Sequence, residues 1–204
     1  MQHPSEEALW QHHEFILGMD EAGRGPICGP LVVAGVIFPK GYRNDLINDS
    51  KKLSEKKREA LFETIQRDAL HYWVLFIDES TIDLLNIYRA TQQAMETIAN
   101  LAQADYVLTD AMPLRDRSNF EALVKGDQKS LAIAAASILA KVSRDHYMVA
   151  LDKEFPQYGL KDHKGYPTRK HLEAIQEYGI QDFYRRSYGP VAKIIEQTNR
   201  LTLF

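Results

Sequence analysis

Three apolar stretches of this 204-residue chain each run into an acid. FILGMD ends at Asp20 with Glu21 beside it, ADYVLTD ends at Asp110, and LVKGD ends at Asp127. Any one of these reads equally well as a turn or helix-capping residue, Asp127 above all, since it precedes the helix expected from Lys129. Together they read differently. Open α/β sheets build their sites where strands end, so acids far apart in sequence can meet there. Carboxylates that meet repel one another and must either take up protons or share cations. An all-oxygen donor set suits Mg²⁺ or Mn²⁺. Two such ions, about 3.5–4 Å apart, activate water and stabilise the leaving oxygen of an in-line phosphoryl displacement. Glu21 carries a condition, because adjacent strand residues face opposite ways: either the strand ends at Asp20 and a turn redirects Glu21, or Glu21 offers its carbonyl. Asp145, about 27 Å beyond Asp127 along a continuous helix, reads as a salt-bridge or capping residue.

The elements that must position these acids follow from periodicity. Phe15 to Asp20 and Leu31 to Phe38 are β-rich and flank AGRGPICGP, as a hairpin pair would. Ser54 caps a helix to about Asp68. HYWVLFI (71–77) and Ala104 to Thr109 read as strands, Phe120 to Lys125 as a short one, and Asn86 to Ala102 as a helix. Lys129 to about Lys153 reads as a long helix whose LAIAAASILA portion is apolar all round, hence buried against the sheet. Short helices are expected around 169–178 and 191–197. Interleaved strands and helices predict an α/β fold, a mixed sheet flanked by helices with a C-terminal helical extension. One domain over 1–204 is expected, with a core of about 15–155 and a basic tail of about 156–204.

Composition removes several classes. With 45% hydrophobic and 26% charged residues the chain is not intrinsically disordered. The net charge of −3 excludes a globally basic nucleic-acid coat. Charge is unevenly placed, however: residues 156–204 hold eight Lys/Arg against five acids, leaving the first 155 residues at −6. The tail is therefore the better surface for an anion. Cys28 is the single cysteine, so neither an internal disulfide nor a thiolate zinc site is available. The longest apolar run, Leu131 to Ala140, is too short to span a membrane, and the N-terminus does not read as a signal peptide. A cytoplasmic, monomeric protein is expected.

The residues then resemble a known family. Asp20-Glu21-Ala22-Gly23-Arg24-Gly25-Pro26, Asp49-Ser50-Lys51-Lys52-Leu53, Asp110-Ala111, Gly126-Asp127, Ala135 to Val142 with Arg144-Asp145, and Gly165-Tyr166-Pro167-Thr168 are similar in content and order to bacterial ribonuclease HII. The match spans roughly residues 15 to 190. The resemblance implies a ribonuclease H-like fold. It also implies hydrolysis of the RNA strand of RNA–DNA hybrids and cleavage 5′ of ribonucleotides embedded in duplex DNA, with two metal ions (Mn²⁺ or Mg²⁺), giving 5′-phosphate and 3′-hydroxyl ends. It assigns catalysis and metal binding to Asp20, Glu21, Asp110 and Asp127. It gives Gly23, Arg24 and Gly25 the reading of the ribose 2′-hydroxyl and sets Tyr166 against the adjacent sugar. The chemistry agrees, since the 2′-hydroxyl separates RNA from DNA and glycines let a backbone approach closely. The alternatives are a DNA-cutting nuclease of the same fold, which has no need of the Gly-Arg-Gly segment and Tyr166, and a non-catalytic hybrid-binding protein, for which so many acids would be a cost.

Lys51 is the preferred phosphate contact, with Lys129 and Ser130 as further candidates at the start of the long helix. His163 and His171 read as surface residues. The ending Arg200-Leu201-Thr202-Leu203-Phe204 resembles the Leu-x-Leu-Phe tails that dock bacterial proteins on the replication sliding clamp, and makes Leu201, Leu203 and Phe204 the candidate contacts.

Overall fold

A computed structural model describes the chain at residues 4–48, 50 and 53–201. The chain divides into two compact units. The first comprises Met1–Ala22, Val32–Phe76 and Thr91–Ser143; the second comprises Gly23–Leu31, Ile77–Ala90 and Arg144–Phe204. The second unit thus includes the Gly-Arg-Gly segment and residues 77–90 besides residues 144–204.

The first unit is built on a five-stranded sheet, β1 (Ile16–Ala22), β2 (Leu31–Ile37), β3 (His71–Ile77), β4 (Tyr106–Asp110) and β5 (Phe120–Leu123), in the order β3-β2-β1-β4-β5. β1 pairs antiparallel with β2 and parallel with β4, and β4 pairs parallel with β5. The expected mixed sheet is thus present, with the flanking helices. The helices are α1 (Pro4–Leu9), α2 (Glu55–Asp68), α3 (Glu79–Leu85), α4 (Ile87–Ala102), α5 (Leu131–Glu154), α6 (Leu160–His163), α7 (Arg169–Tyr178) and α8 (Gly189–Leu201). Periodicity misses α1, α3 and α6, which have four to seven residues and too few turns to show a period.

Strand alternation sorts β1 into two faces. Ile16, Gly18 and Asp20 share one, Leu17 and Met19 the other. A Cβ on Gly18 would stand 2.4 Å from the main chain at Ala132 and Ile133, so α5 lies against the first face. Ala132, Ala134, Ala135, Ala136 and Ala140 of α5 are buried with Val32, Ala34 and Val36 of β2. On the other face, Ile98 of α4 lies over Gly35 of β2. The all-round apolar character of LAIAAASILA thus has its expected cause. Small side chains let the helix approach, and little water reaches any side of it.

The start of α5 is held by a residue 124 positions away in sequence. The Glu6 carboxylate, 2% exposed, accepts from the Ser130 hydroxyl at 2.7 Å and from the Leu131 and Ala132 N–H groups at 2.9 and 2.7 Å. Ser130 Oγ in turn accepts from Ile133 N–H. This corrects one expectation: Ser130 is fully buried and committed to Glu6, so it is not presented to a substrate phosphate. An internal carboxylate already fills the anion position at this helix start. Burial raises the Glu6 pKa, and the three hydrogen bonds oppose that shift.

In the second unit, Ile27, Cys28, Met148, Tyr158, Leu160, Ala174, Ile175, Phe183, Tyr184 and Val191 form a separate core. Among the described residues, no helix is long and apolar enough to cross a membrane.

Replacing Glu6 with Ala strips charged acceptors from buried donors, and is expected to cost about 2–3 kcal/mol of unfolding free energy in urea titrations. Glu6→Gln should cost clearly less. Equal stability of Glu6→Ala and wild type would show that the contact carries no weight.

Candidate active site

The first unit brings acids together on the α5 face of the sheet. Asp20 lies within β1, opposite Ala34 of β2. In the parallel β1–β4 register, Met19 pairs with Thr109, and one step further brings Asp20 and Asp110 level on neighbouring strands. Leu108 pairs with Gly18 and is buried with Ile16 and Ile133, so Asp110, two residues on, shares the face of Asp20. Asp110 Oδ1 accepts from the Gly126 N–H at 2.8 Å, which anchors the residue just before Asp127. Asp127 is itself buried, in a single 3₁₀ turn (Gly126–Gln128), not at the end of a strand as LVKGD suggested; β5 stops at Leu123.

Glu21 does not meet the first condition set for it. β1 continues through Glu21, paired with Val33, to Ala22, so no turn redirects the side chain at Asp20. Its charge nevertheless acts on Asp20. The Asp20 carboxyl is held well above its ordinary pKa, first by burial and then by the charges of Glu21 and Asp110. A hydrogen bond from Ser137 of α5 and the 2.7 Å bond from the Glu21 N–H act in the opposite direction. Ser137 is also 2.9 Å from the Ser50 hydroxyl. In the sequence, Ser50 and Ser137 stand out only as members of longer motifs. Their role as supports of Asp20 has no sequence signal, because 87 residues separate them and only the fold joins them.

The donor set is carboxylate oxygen, and its electrostatics are those of negative charge awaiting a counter-charge. Both fit a hard divalent cation. Among the described residues, no three His, Cys, Asp or Glu side chains are grouped so as to hold a metal ion; what the structure brings together is Asp20 with the charges of Glu21 and Asp110.

The remaining candidates separate cleanly. Lys129 is exposed and open to a phosphate, whereas Lys51 lies outside the described residues. Arg58, part of the same basic cluster, is engaged with the Leu53 and Ser50 carbonyls at 2.6 and 3.1 Å. Asp145 is buried in the second unit, beside the charge of Arg144, and α5 is continuous from Leu131. Leu201 ends α8, and Leu203 and Phe204 lie outside the described residues.

The second unit holds the glycine segment. Gly23 has φ +99°, and a Cβ there would stand 2.2 Å from Arg144 Nε, so both conformation and space demand glycine. Gly25 is exposed, with the Tyr166 ring over it: Tyr166 Cε1 is 3.2 Å from where a Cβ would be. Two buried arginines hold the carbonyls behind this segment. Arg144 donates to Pro30, Lys164 and Cys28 at 2.9, 2.9 and 3.1 Å. Arg185 donates to Gly29 at 2.7 Å and to Pro26 at 2.9 Å. The Tyr188 hydroxyl donates to the Arg24 carbonyl at 2.7 Å. Burial, and then the charge of Arg185, draws the Arg144 pKa down to about 10, which leaves it charged at neutral pH.

His171 is fully buried and His163 half-buried, so neither is the surface residue expected. Their place in apolar surroundings is invisible to composition. Burial depresses the His171 pKa to about 4.

Residues 17–191 match the family model described as Ribonuclease HII. The chain is 50% identical over 195 residues to the Ribonuclease HII of Acholeplasma laidlawii, covering 94% of this chain and 96% of that one. It resembles the crystal structure of the ribonuclease H2 from Pyrococcus horikoshii OT3 with a TM-score of 0.80 and 26% identity, over 91% of this chain and 99% of that one. The ribonuclease HII in a PCNA complex from Archaeoglobus fulgidus matches with a TM-score of 0.69 and 28% identity, over 85% and 95%.

Two outcomes follow. Asp20→Asn keeps an acceptor for the Glu21 N–H and removes one of the mutually repelling charges. It should raise the melting temperature of the metal-free protein and abolish the further rise that Mn²⁺ gives wild type; a lower melting temperature with the Mn²⁺ response intact would refute this. The unfolded chain protonates His171 near the ordinary 6.5, whereas the folded ring resists until about 4. This ring therefore subtracts stability as pH falls from about 6.5 towards 4 and is neutral above that window. In thermal melts across that range, His171→Asn should lose less stability than wild type; parallel curves would exclude it.

Proposed function

Because the chain belongs to the ribonuclease HII family, and so is a ribonuclease H acting on RNA–DNA hybrids through a divalent metal, we propose a finer reading of its activity. It cuts duplex DNA on the 5′ side of embedded ribonucleotides as well as the RNA strand of hybrids. The observation that carries this is the pairing of an exposed Gly25 with the Tyr166 ring, on a glycine segment whose carbonyls are pinned from behind. A surface with no side chain of its own admits the main chain to within hydrogen-bonding range of a 2′-hydroxyl, and the aromatic ring gives a sugar an apolar face.

Asp20, Glu21, Asp110 and Asp127 are the residues that would hold divalent ions, Mn²⁺ or Mg²⁺, two in the reactive complex. Such ions, when bound, supply Lewis acidity at the phosphate and lower the pKa of water. The chain's own part is placement and charge. Ser137 and the Glu21 N–H orient Asp20, and the Gly126 N–H orients Asp110, so the carboxylates are set before substrate arrives. Water adds to phosphorus and the P–O3′ bond breaks. The phosphate stays on the 5′ carbon of the ribonucleotide and the upstream nucleotide keeps a 3′-hydroxyl. Lys129 and Lys51 contribute phosphate contacts that fix position without reading bases.

Sliding-clamp docking through Leu201, Leu203 and Phe204 is a second part of the proposal. It is supported by the tail sequence and by the PCNA complex of the Archaeoglobus fulgidus relative.

A duplex carrying one ribonucleotide, incubated with Mg²⁺ or Mn²⁺, should be cut at the 5′ side of that residue. Asp110→Asn should slow cleavage by at least about a hundredfold. Equal cutting of an all-DNA duplex, or full activity of the variant, would overturn the assignment. A chain ending at Thr198 should lose capture by immobilised clamp; undiminished capture would remove the tail from that role.

A further inference from the structure

Tyr166 is 49% exposed, and its main chain is held from the protein side: Thr168 N–H donates to its carbonyl at 2.8 Å, and its own N–H donates to the His163 carbonyl at 2.9 Å. The residue beneath is His171 on α7, 0% exposed within the second unit. Its Nδ1 is 2.8 Å from the Tyr166 carbonyl and its Nε2 is 2.9 Å from the Tyr184 hydroxyl. A carbonyl can only accept, so Nδ1 carries the proton and the neutral ring accepts at Nε2 from the Tyr184 O–H. The Cys28 sulfur lies 3.9 Å from the same Nε2.

His163 stacks on this ring, 4.1 Å between centroids, and is wired in the reverse sense. Its Nε2 donates to the Tyr158 carbonyl at 2.9 Å, and its Nδ1 accepts the Gly165 N–H at 3.2 Å. The two rings therefore grip the main chain at Gly165 and at Tyr166. The gripped segment is tied to the glycine segment twice. Ile27 N–H donates to the Gly165 carbonyl at 2.9 Å. Cys28 and Tyr184 form an antiparallel bridge, flanked by Arg185 N–H to Ile27 and Gly29 N–H to Phe183, both 2.9 Å. A circuit of bonds thus runs from Tyr166 through His171 and Tyr184 to Cys28, and back through Ile27 to Gly165.

We propose that His171 is a positioning residue for ribose recognition: through its Nδ1–H it fixes the Tyr166 main chain so that the ring stays seated over Gly25. This rests on the ribonucleotide reading above. The residue touches no substrate, being fully buried. An apolar side chain would fill its place without the desolvation cost of an imidazole. What the imidazole adds is two directed bonds, of which only the one at Nδ1 reaches the recognition surface.

Amide side chains separate the two bonds. Asn places its N–H₂ near the position of Nδ1, and Gln places it near that of Nε2. On a duplex with one ribonucleotide, His171→Asn should keep KM within about threefold of wild type, whereas His171→Gln should raise it about tenfold, with kcat of both within about threefold. Each variant loses one directed bond, so their melting temperatures should fall alike. Tyr184→Phe leaves the ring and its Nδ1 bond in place and removes only the bond at Nε2, so it should match His171→Asn, with KM within about threefold of wild type. Equal KM changes for the Asn and Gln variants, or none in either, would make His171 a core residue and nothing more. If neither His171 variant folds, a KM raised about tenfold in Tyr184→Phe, which keeps the Nδ1 bond, overturns the proposal. Failure of the ribonucleotide reading looks different: wild type itself would then cut the all-DNA duplex equally fast.

Discussion

The approach of α5 to β1 is the constraint on which the first unit depends. A helix whose main chain sits against the Cα of Gly18 leaves no room for any larger residue there, and it requires alanines on the helix side. Two consequences follow from that distance. Asp20, two residues along the same face, is shut in with Ser137 as its hydrogen-bonding partner, and its charge is therefore costly. The start of the helix is also withdrawn from water, so its N–H groups need an internal acceptor, which Glu6 provides. Close packing and charge burial are thus one feature seen from two sides.

The second unit solves a different problem, that of holding a glycine-rich segment in one shape. Glycine loses the most conformational freedom on folding, so such a segment needs many external bonds. Arg144 and Arg185 provide them. Each spends its fork of donors on main-chain carbonyls, which satisfies the guanidinium and the backbone together. Burying a charge this way is costly, and several directed hydrogen bonds are what make it tolerable. Pinned carbonyls also leave the segment one shape to adopt.

Much was legible before any coordinates. The strands, α2, α4, α5 and α7 emerge from periodicity, and Asp20 and Asp110 emerge as acids at the tips of apolar runs. Strand alternation sets Glu21 apart from Asp20, and β1 does continue past it to Ala22. Asp127 lies in a 3₁₀ turn and not at a strand end; such a turn after a four-residue strand has no pattern of its own. Ser130 was misassigned because its competitor for the helix start, Glu6, lies in a short helix near the chain's beginning. His171 was misassigned because a histidine among polar neighbours in sequence gives no sign of burial.

Residue type, order and period along the chain suffice for the family and the layered α/β architecture, and they mark the acids at the tips of apolar runs. Folding settles which acid is desolvated, which basic residues are spent on carbonyls, and which hydroxyl is taken by an internal carboxylate. Those outcomes depend on burial and on bonds between residues often 80 or more positions apart, such as Ser50 with Ser137 and Arg185 with Gly29. Desolvation and directed hydrogen bonds act between neighbours in space, and the order of residues along the chain does not record who those neighbours are.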